Sequence, residues 1–504
     1  MKKYDTIIIG SGLGGLVCAA ILSKEGQRVC VLEKNEQLGG NLQTFRRNGV
    51  TFDTGVHYIS GLEKGQNLFR FFTYLGLMDR LDLVKMDESG FDAVMFSDDE
   101  KTYLYGMGYT RFAEQMIRDF PEEENAIRQY CRDMQTVCQN FPMYNLRNES
   151  GYKDLSFFQK SAKEYFEELT ENETLRAVLA GTNLLYAGNG KRTPLHVHAL
   201  VVNSYIESSW RCAKGGDQIA KALAKIIRAN GGDIFRKCEV KKIQIENEKA
   251  LYAENVSGER FYAANFISNT HPAQTLHLTD TPLFRKAYRK RISELENSVS
   301  AFEIYLKLKP NKIKYTNRNY YVFAQKDVWS ATDYTEETWG ENYGVFEAVP
   351  KQGEYVDVMT IMTYMRFEDV ARWSHTVNTT LQGNLREPEY ETFKQQKADR
   401  LLEIVFQKFP ELREAIDCYY TSTPLSYRDY LGNGDGNMYG ISKDFNNPLK
   451  TVISPVTKVP NLFFTGANIV LHGILGVTVS AFITSFSLLG KDYLLQKIAE
   501  ANEA

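Results

Sequence analysis

The sequence predicts an α/β fold of the Rossmann type with an interwoven α+β region. Three observations predict it: a strand, glycine turn, helix and strand at the start, a return to α/β rhythm near residue 214, and alternating strands after Ser298. The first strand is read over Asp5 to Ile9, the glycine turn over Gly10 to Gly15, a helix through Ser23, and a second strand over Val29 to Glu33. Between about Ser89 and Val202 the chain reads as mostly helical, with apolar residues at helical spacing in Arg111 to Cys138 and Ser161 to Leu179. After Lys214-Gly215-Gly216 come a helix (Gln218 to Ala229), a strand near Val240 to Ile245 and another near Phe261 to Ser268. Strands around Phe302 to Leu306, Asn319 to Phe323 and Val356 to Tyr364 then predict a second sheet, followed by a polar helix from Glu389 to Phe409. The expected division is 1–88, 203–297 and 450–504 in the first domain, with 89–202 and 298–449 in the second.

Bulk properties narrow the function. The 504 residues suffice for two domains and a buried cavity. A formal charge of -3 without long basic blocks argues against nucleic acid as a partner. The seven cysteines form no CxxC pair, so neither a disulfide framework nor a metal site is expected, and the reducing cytoplasm is the default compartment. Lys2 and Lys3 precede only a short apolar run, unlike a signal peptide. Val459 to Gly490 lacks any Asp, Glu, Lys or Arg, yet Asn468, His472, Gly473 and Gly476 within it suit a buried turn and core helix better than a membrane span.

Gly10-Ser11-Gly12-Leu13-Gly14-Gly15 fits GxGxxG: Gly10 for the tight turn, Gly12 for close approach of a pyrophosphate, Gly15 for helix packing. The phosphates are expected at the helix N-terminus, where free N–H groups favour negative charge. Glu33 stands about twenty residues on, placed to accept hydrogen bonds from both ribose hydroxyls. The pair Gly39-Gly40 lets a second backbone loop approach the cofactor, which favours FAD over NAD. Asn461 to Asn468 reads as a buried strand ending in a Thr-Gly turn, and Gly473 and Gly476 open a helix whose N-terminus faces the flavin. The residues expected around FAD are Gly10, Ser11, Gly12, Gly14, Gly15, Glu33, Lys34, Gly39, Gly40, Asn41, Val240, Gly466, Asn468, Gly476 and Val477.

With these motifs the sequence resembles, over nearly its whole length, the phytoene desaturase, carotenoid isomerase and retinol saturase family of flavoproteins, distant relatives of the amine oxidases. Lys214-Gly215-Gly216, Ser268 to Pro272, Thr423-Pro424 and Thr465 to Gly476 also carry the likeness. Phe52-Asp53-Thr54-Gly55-Val56-His57-Tyr58-Ile59, Thr423-Pro424-Leu425 and Tyr427-Arg428-Asp429-Tyr430-Leu431 look most like the retinol saturase branch. The family places an acid where Asn468 stands, a loss of one carboxylate facing the cofactor. The resemblance implies an FAD fold like that of glutathione reductase and the amine oxidases. It also implies hydride exchange between flavin N5 and a carbon–carbon bond of a long apolar isoprenoid or polyene.

His57, Tyr58 and His472 are then the candidate groups beside the flavin ring. The electron donor or acceptor is left open, because no second nucleotide fingerprint is present: Gly432, Gly434 and Gly436 lack the flanking strand and read as a flexible loop. His196 and His198, two apart on an expected strand face, read as local hydrogen-bonding residues. An apolar substrate is expected to bring peripheral contact with a bilayer. Alternatives to the saturase or desaturase reading are a non-redox polyene isomerase using reduced flavin, an amine oxidase, and a flavin-bearing scaffold without turnover.

Overall fold

Burial on both faces accounts for the unbroken run Ile7-Ile8-Ile9. In the computed structural model, which describes residues 3–149, 151, 154, 156–383 and 386–503, strand β1 (Lys3–Ile9) lies between β2 (Val29–Leu32) and the Arg260–Ser268 strand, parallel to both. Asp233–Phe235 extends the sheet beyond β2. Leu462–Phe464 pairs in parallel with Phe266 to Ser268, so the C-terminal segment returns to the first sheet. Val240–Glu246 and Lys249–Asn255 close the far edge as an antiparallel pair. Helix α1 (Leu13–Lys24) crosses from β1 to β2 and packs between the Gly473–Leu489 and Asp217–Ala229 helices.

The second sheet has seven strands in the spatial order Ile416–Ser422, Ser300–Leu308, Val358–Met365, Tyr343–Glu347, Asn319–Phe323, Asp92–Phe96 and Thr102–Tyr105. Two of these correct the expectation of a mostly helical region after Ser89. Asp92–Phe96 and Thr102–Tyr105 are strands, and the first pairs in parallel with Asn319–Phe323. Asp92, Ala93, Val94 and Phe96 are all buried, so the alternation that marks a half-exposed strand is missing. The helical stretch Arg111 to Cys138 is two helices, Tyr109–Asp119 and Glu124–Gln139, because Pro121 cannot continue the first.

His196 and His198 stand on the Leu195–Glu207 helix, not on a strand, and residues two apart on a helix point to different faces. His198 is bonded to the Tyr130 and Tyr186 hydroxyls (2.9 and 2.7 Å), and His196 to the Phe157 carbonyl (3.3 Å). Among the described residues no helix is long and apolar enough to cross a membrane. The charge-free segment forms the Gly473–Leu489 helix, where the Thr478, Ser480, Thr484 and Ser485 hydroxyls donate to carbonyls four residues back. Local bonding of this kind lets a polar helix interior be buried without ion pairs.

Candidate functional site

One cavity of about 360 Å³ runs from the glycine turn after β1 to the inner face of the second sheet. At its outer end Gly10 adopts φ +91° and turns the chain into α1. Gly12, at the N-cap before α1, has no side chain to cap the helix, so the first N–H groups stay available to an anion. A second backbone loop closes on the first: the Gly39 N–H donates to the Ser11 carbonyl (3.0 Å), and a Cβ on Gly40 would come within 3.2 Å of the Gly12 Cα. A Cβ on Gly14 would meet the Asn269 amide at 2.6 Å and the Gly466 Cα at 2.9 Å. Three backbone segments thus converge where a side chain would fill the space, a cradle that fits a pyrophosphate.

Glu33 is buried and held from both sides. Ser11 donates its N–H (2.9 Å) and hydroxyl (2.6 Å) to Oε2, and the Asn35 N–H donates to Oε1 (2.8 Å). Oε2 therefore has both acceptor positions filled and Oε1 keeps one, where the sequence reading expected room for two ribose hydroxyls. Ser11 serves Glu33 instead of the cavity wall. Gly15 lets α1 pack on the Gly10 carbonyl, and a Cβ on Gly476 would meet the Leu471 carbonyl at 2.7 Å; neither glycine lines this cavity. Lys34, Asn41, Val240, Gly466, Asn468 and Val477 all line it. Lys34 donates to the Asp429 carbonyl (2.7 Å), and burial pulls its ammonium below the usual lysine range. Asn468 accepts from the Ile441 N–H (2.9 Å), so the amide that stands in place of an acid ties a neighbouring loop to the site. The loop at Gly432 is part of the same wall, with Gly436 at φ +65° where a Cβ would strike the Pro424 carbonyl.

The inner end gathers His57, Tyr58, Glu303, Tyr321, Phe346 and His472. The His57 ring stacks on Phe346 (centroids 4.4 Å apart), and its Nε2 lies 3.7 Å from Glu303 Oε1. Glu303 is fully buried; Tyr305 donates its hydroxyl to Oε2, while Oε1 accepts no hydrogen bond among the described residues. Tyr58 donates to buried Asp92 (2.9 Å) and shares a 2.6 Å bond with the Tyr321 hydroxyl. His472 opens the Gly473–Leu489 helix and donates Nε2–H to the Leu185 carbonyl (3.0 Å). Burial pushes its pKa down to about 4, so near neutral pH it orients neighbours as an uncharged ring. Asn269, Glu303, Tyr321 and Asp92 escaped the sequence reading. A lone acid between Phe302 and Ile304 in an apolar strand was the available signal for Glu303.

A second, mainly apolar cavity of about 270 Å³ adjoins the first, with Leu185, Tyr205, His472, Gly473 and Ile474 in both walls. It continues between Tyr144, Leu200, Val201, Val479 and Ile483 toward Lys491.

The model of the family described as "Flavin containing amine oxidoreductase" matches residues 13–372. The all-trans-retinol 13,14-reductase of Danio rerio is 24% identical over 554 residues, covering 99% of this chain and 88% of the relative. The chloroplastic prolycopene isomerase of Daucus carota is 26% identical over 470 residues, covering 87% of this chain and 72% of the relative. The crystal structure of an oxidoreductase from Methanosarcina mazei superposes with a TM-score of 0.65 at 18% identity, covering 95% of this chain and 99% of that one. That likeness shows the fold. The family description names a flavin, and the cradle for phosphates and ribose calls for its dinucleotide form, FAD. The chain therefore belongs to the flavin-containing amine oxidoreductase family, as an FAD-dependent oxidoreductase.

Proposed function

We propose that this protein adds hydrogen across a carbon–carbon double bond of a long apolar polyene or isoprenoid, the saturase direction of the desaturase and saturase chemistry. The observation that carries the reading is the mainly apolar second cavity that adjoins the inner end of the first and shares Leu185, Tyr205, His472, Gly473 and Ile474 with it: together they suit a chain far longer than the reacting bond. The Gly10 to Gly15 turn, Glu33, the Gly39-Gly40 loop and the Thr465 to Val477 segment would hold FAD, which would supply the hydride chemistry when bound.

The chain's own groups do the rest. Tyr205, Ile474 and Leu185 exclude water along the substrate, and His57 on Phe346 forms a flat wall beside it. Glu303 Oε1, with no hydrogen bond of its own, accepts from a hydroxyl at the polar end of the substrate. The relatives named above, a retinol reductase and a prolycopene isomerase, act on polyenes by name and support this substrate class.

The test is anaerobic reduction of the bound flavin followed by addition of polyenes and retinoids. Reoxidation with a product two hydrogens heavier supports the proposal. Product of unchanged mass means isomerisation, and peroxide release with amines means amine oxidation; either overturns it. Delivery of the substrate by peripheral contact with a bilayer is part of the proposal, and protein left wholly in the supernatant with liposomes overturns that part.

A further inference from the structure

Below the flavin cavity, three side chains on three different segments form one unbroken hydrogen-bonded line. Asp92 sits on the first strand of its hairpin, fully buried. Its Oδ1 accepts from the Asn319 amide (2.9 Å) and its Oδ2 from the Tyr58 hydroxyl (2.9 Å); Tyr58 and Tyr321 hydroxyls then meet at 2.6 Å. Tyr58 and Tyr321 both line the cavity, and Asp92 does not. We propose that Asp92, Tyr58 and Tyr321 form a proton relay that ends in the cavity at Tyr321 and supplies the proton accompanying hydride addition to the substrate double bond. This rests on the reduction reading above.

The direction of the line follows from counting hydrogens. With Asp92 ionised, Tyr58 donates to the carboxylate and Tyr321 donates to Tyr58, so no hydroxyl proton points at the cavity. With Asp92 protonated, the carboxyl donates to Tyr58, Tyr58 to Tyr321, and the Tyr321 proton is free to face the substrate. Burial places this switch in the working range, pushing the Asp92 carboxyl up to about 7 against the opposing hydrogen bonds of Asn319 and Tyr58. The charged and titratable groups around it are Arg211, Arg318, Tyr58, Tyr105, Tyr205 and Tyr321. Both arginines are engaged elsewhere. Arg211 donates to Asn319 Oδ1 (2.8 Å) and to the His57 carbonyl (3.2 Å), and Arg318 pairs with Asp87 (2.9 Å). Arg211 thereby fixes the backbone that carries Tyr58 without neutralising Asp92 directly. His57 and Glu303 offer no comparable line, being 3.7 Å apart.

The step balances. One carbon of the double bond would take the hydride that a bound reduced flavin supplies, and its neighbour would take the Tyr321 proton, using the electron pair of the π bond. Tyr321 recovers a proton from Tyr58, Tyr58 from Asp92, and Asp92 from solvent. Tyr321 is the catalytic residue of the relay and Asp92 its positioning and proton-storing residue.

The test uses flavin-loaded protein and the variants Tyr321→Phe, Tyr58→Phe and Asp92→Asn. Infrared spectra between about pH 5 and about pH 9 are expected to show a protonated carboxyl band that titrates near 7, is lost in Asp92→Asn and shifts in Tyr58→Phe. Wild-type turnover of the reducible polyene is expected to fall above pH 7. Tyr321→Phe should lose roughly 10²- to 10⁴-fold in kcat with KM little changed, and Asp92→Asn should lose the pH dependence as well as rate. If Asp92→Asn does not fold, Tyr321→Phe decides. Turnover left unchanged by Tyr321→Phe, or absence of the titrating band, overturns the relay. Failure of the wild type to reduce any polyene instead overturns the reduction reading and with it the relay's task.

Discussion

Glu303 Oε1 faces His57 Nε2 across 3.7 Å at the inner end of the cavity, buried and with no hydrogen-bond donor upon it among the described residues. A buried carboxylate oxygen without a protein donor is costly to the fold, and its place in the cavity wall points to a ligand donor. The amide of Glu303→Gln has the same shape without the charge. We expect that variant to fold at least as stably as the wild type and to retain FAD. Its KM for polyene alcohols should rise about tenfold or more, in line with loss of a charged hydrogen bond of about 1.5–3 kcal/mol, while its KM for hydrocarbon polyenes should not change. Equal effects on both substrate types would remove Glu303 from substrate recognition.

The shared wall between the two cavities makes a length-dependent prediction. Val201 and Ile483 line the second cavity and are absent from the first. Val201→Trp or Ile483→Trp should fill that space, raise KM for long polyenes and leave short ones and the flavin absorbance unaffected. Steady-state kinetics across a series of chain lengths reads this directly. Uniform loss with every length would place the substrate chain elsewhere.

The glycines of the turn differ in what a methyl group would strike. On Gly12 it would meet only the end of the Asn269 side chain, at 2.7 Å, whereas on Gly14 it would also meet Gly466 backbone at 2.9 Å. Gly14→Ala is therefore expected to cost about 1–3 kcal/mol through overpacking and to lose most bound FAD. Gly12→Ala should lose FAD too, and recover part of it in combination with Asn269→Ala. The ratio of flavin to protein absorbance after gel filtration measures each case.

Local rules made the outer half of the site readable. The turn, the helix start and Glu33 follow from steric and dipolar demands met within about thirty consecutive residues. Asn269 lies in a segment noticed only as a family likeness, and its reach over Gly12 and Gly14 depends on a parallel pairing across more than two hundred residues. The inner half is non-local throughout. Asp92 meets Tyr58 and Asn319 only once the Asp92–Phe96 strand joins the second sheet, and burial of four of its five residues erases the alternation that would mark it in the sequence. His57 and Tyr58 were found by resemblance; their partners Phe346, Glu303 and Tyr321 come from three other strands.

His198 gives a prediction about acid stability that is independent of the flavin. The buried ring is held between the Tyr130 and Tyr186 hydroxyls, and burial lowers its pKa from 6.5 to about 3. The folded state thus keeps it neutral where the unfolded chain would protonate it. A depressed folded pKa means that its contribution is present in full above the unfolded value of 6.5 and shrinks as pH falls toward 3. The loss amounts to about 1.4 kcal/mol per pH unit within that window. His198→Asn removes the titrating group, so the stability difference between wild type and variant should narrow with acidification by that slope. Urea unfolding midpoints of both proteins at several pH values below 6.5 provide the measurement. A difference that stays constant with pH would mean that the ring opens to solvent and is protonated in the folded protein, which would contradict its enclosure by the two tyrosines.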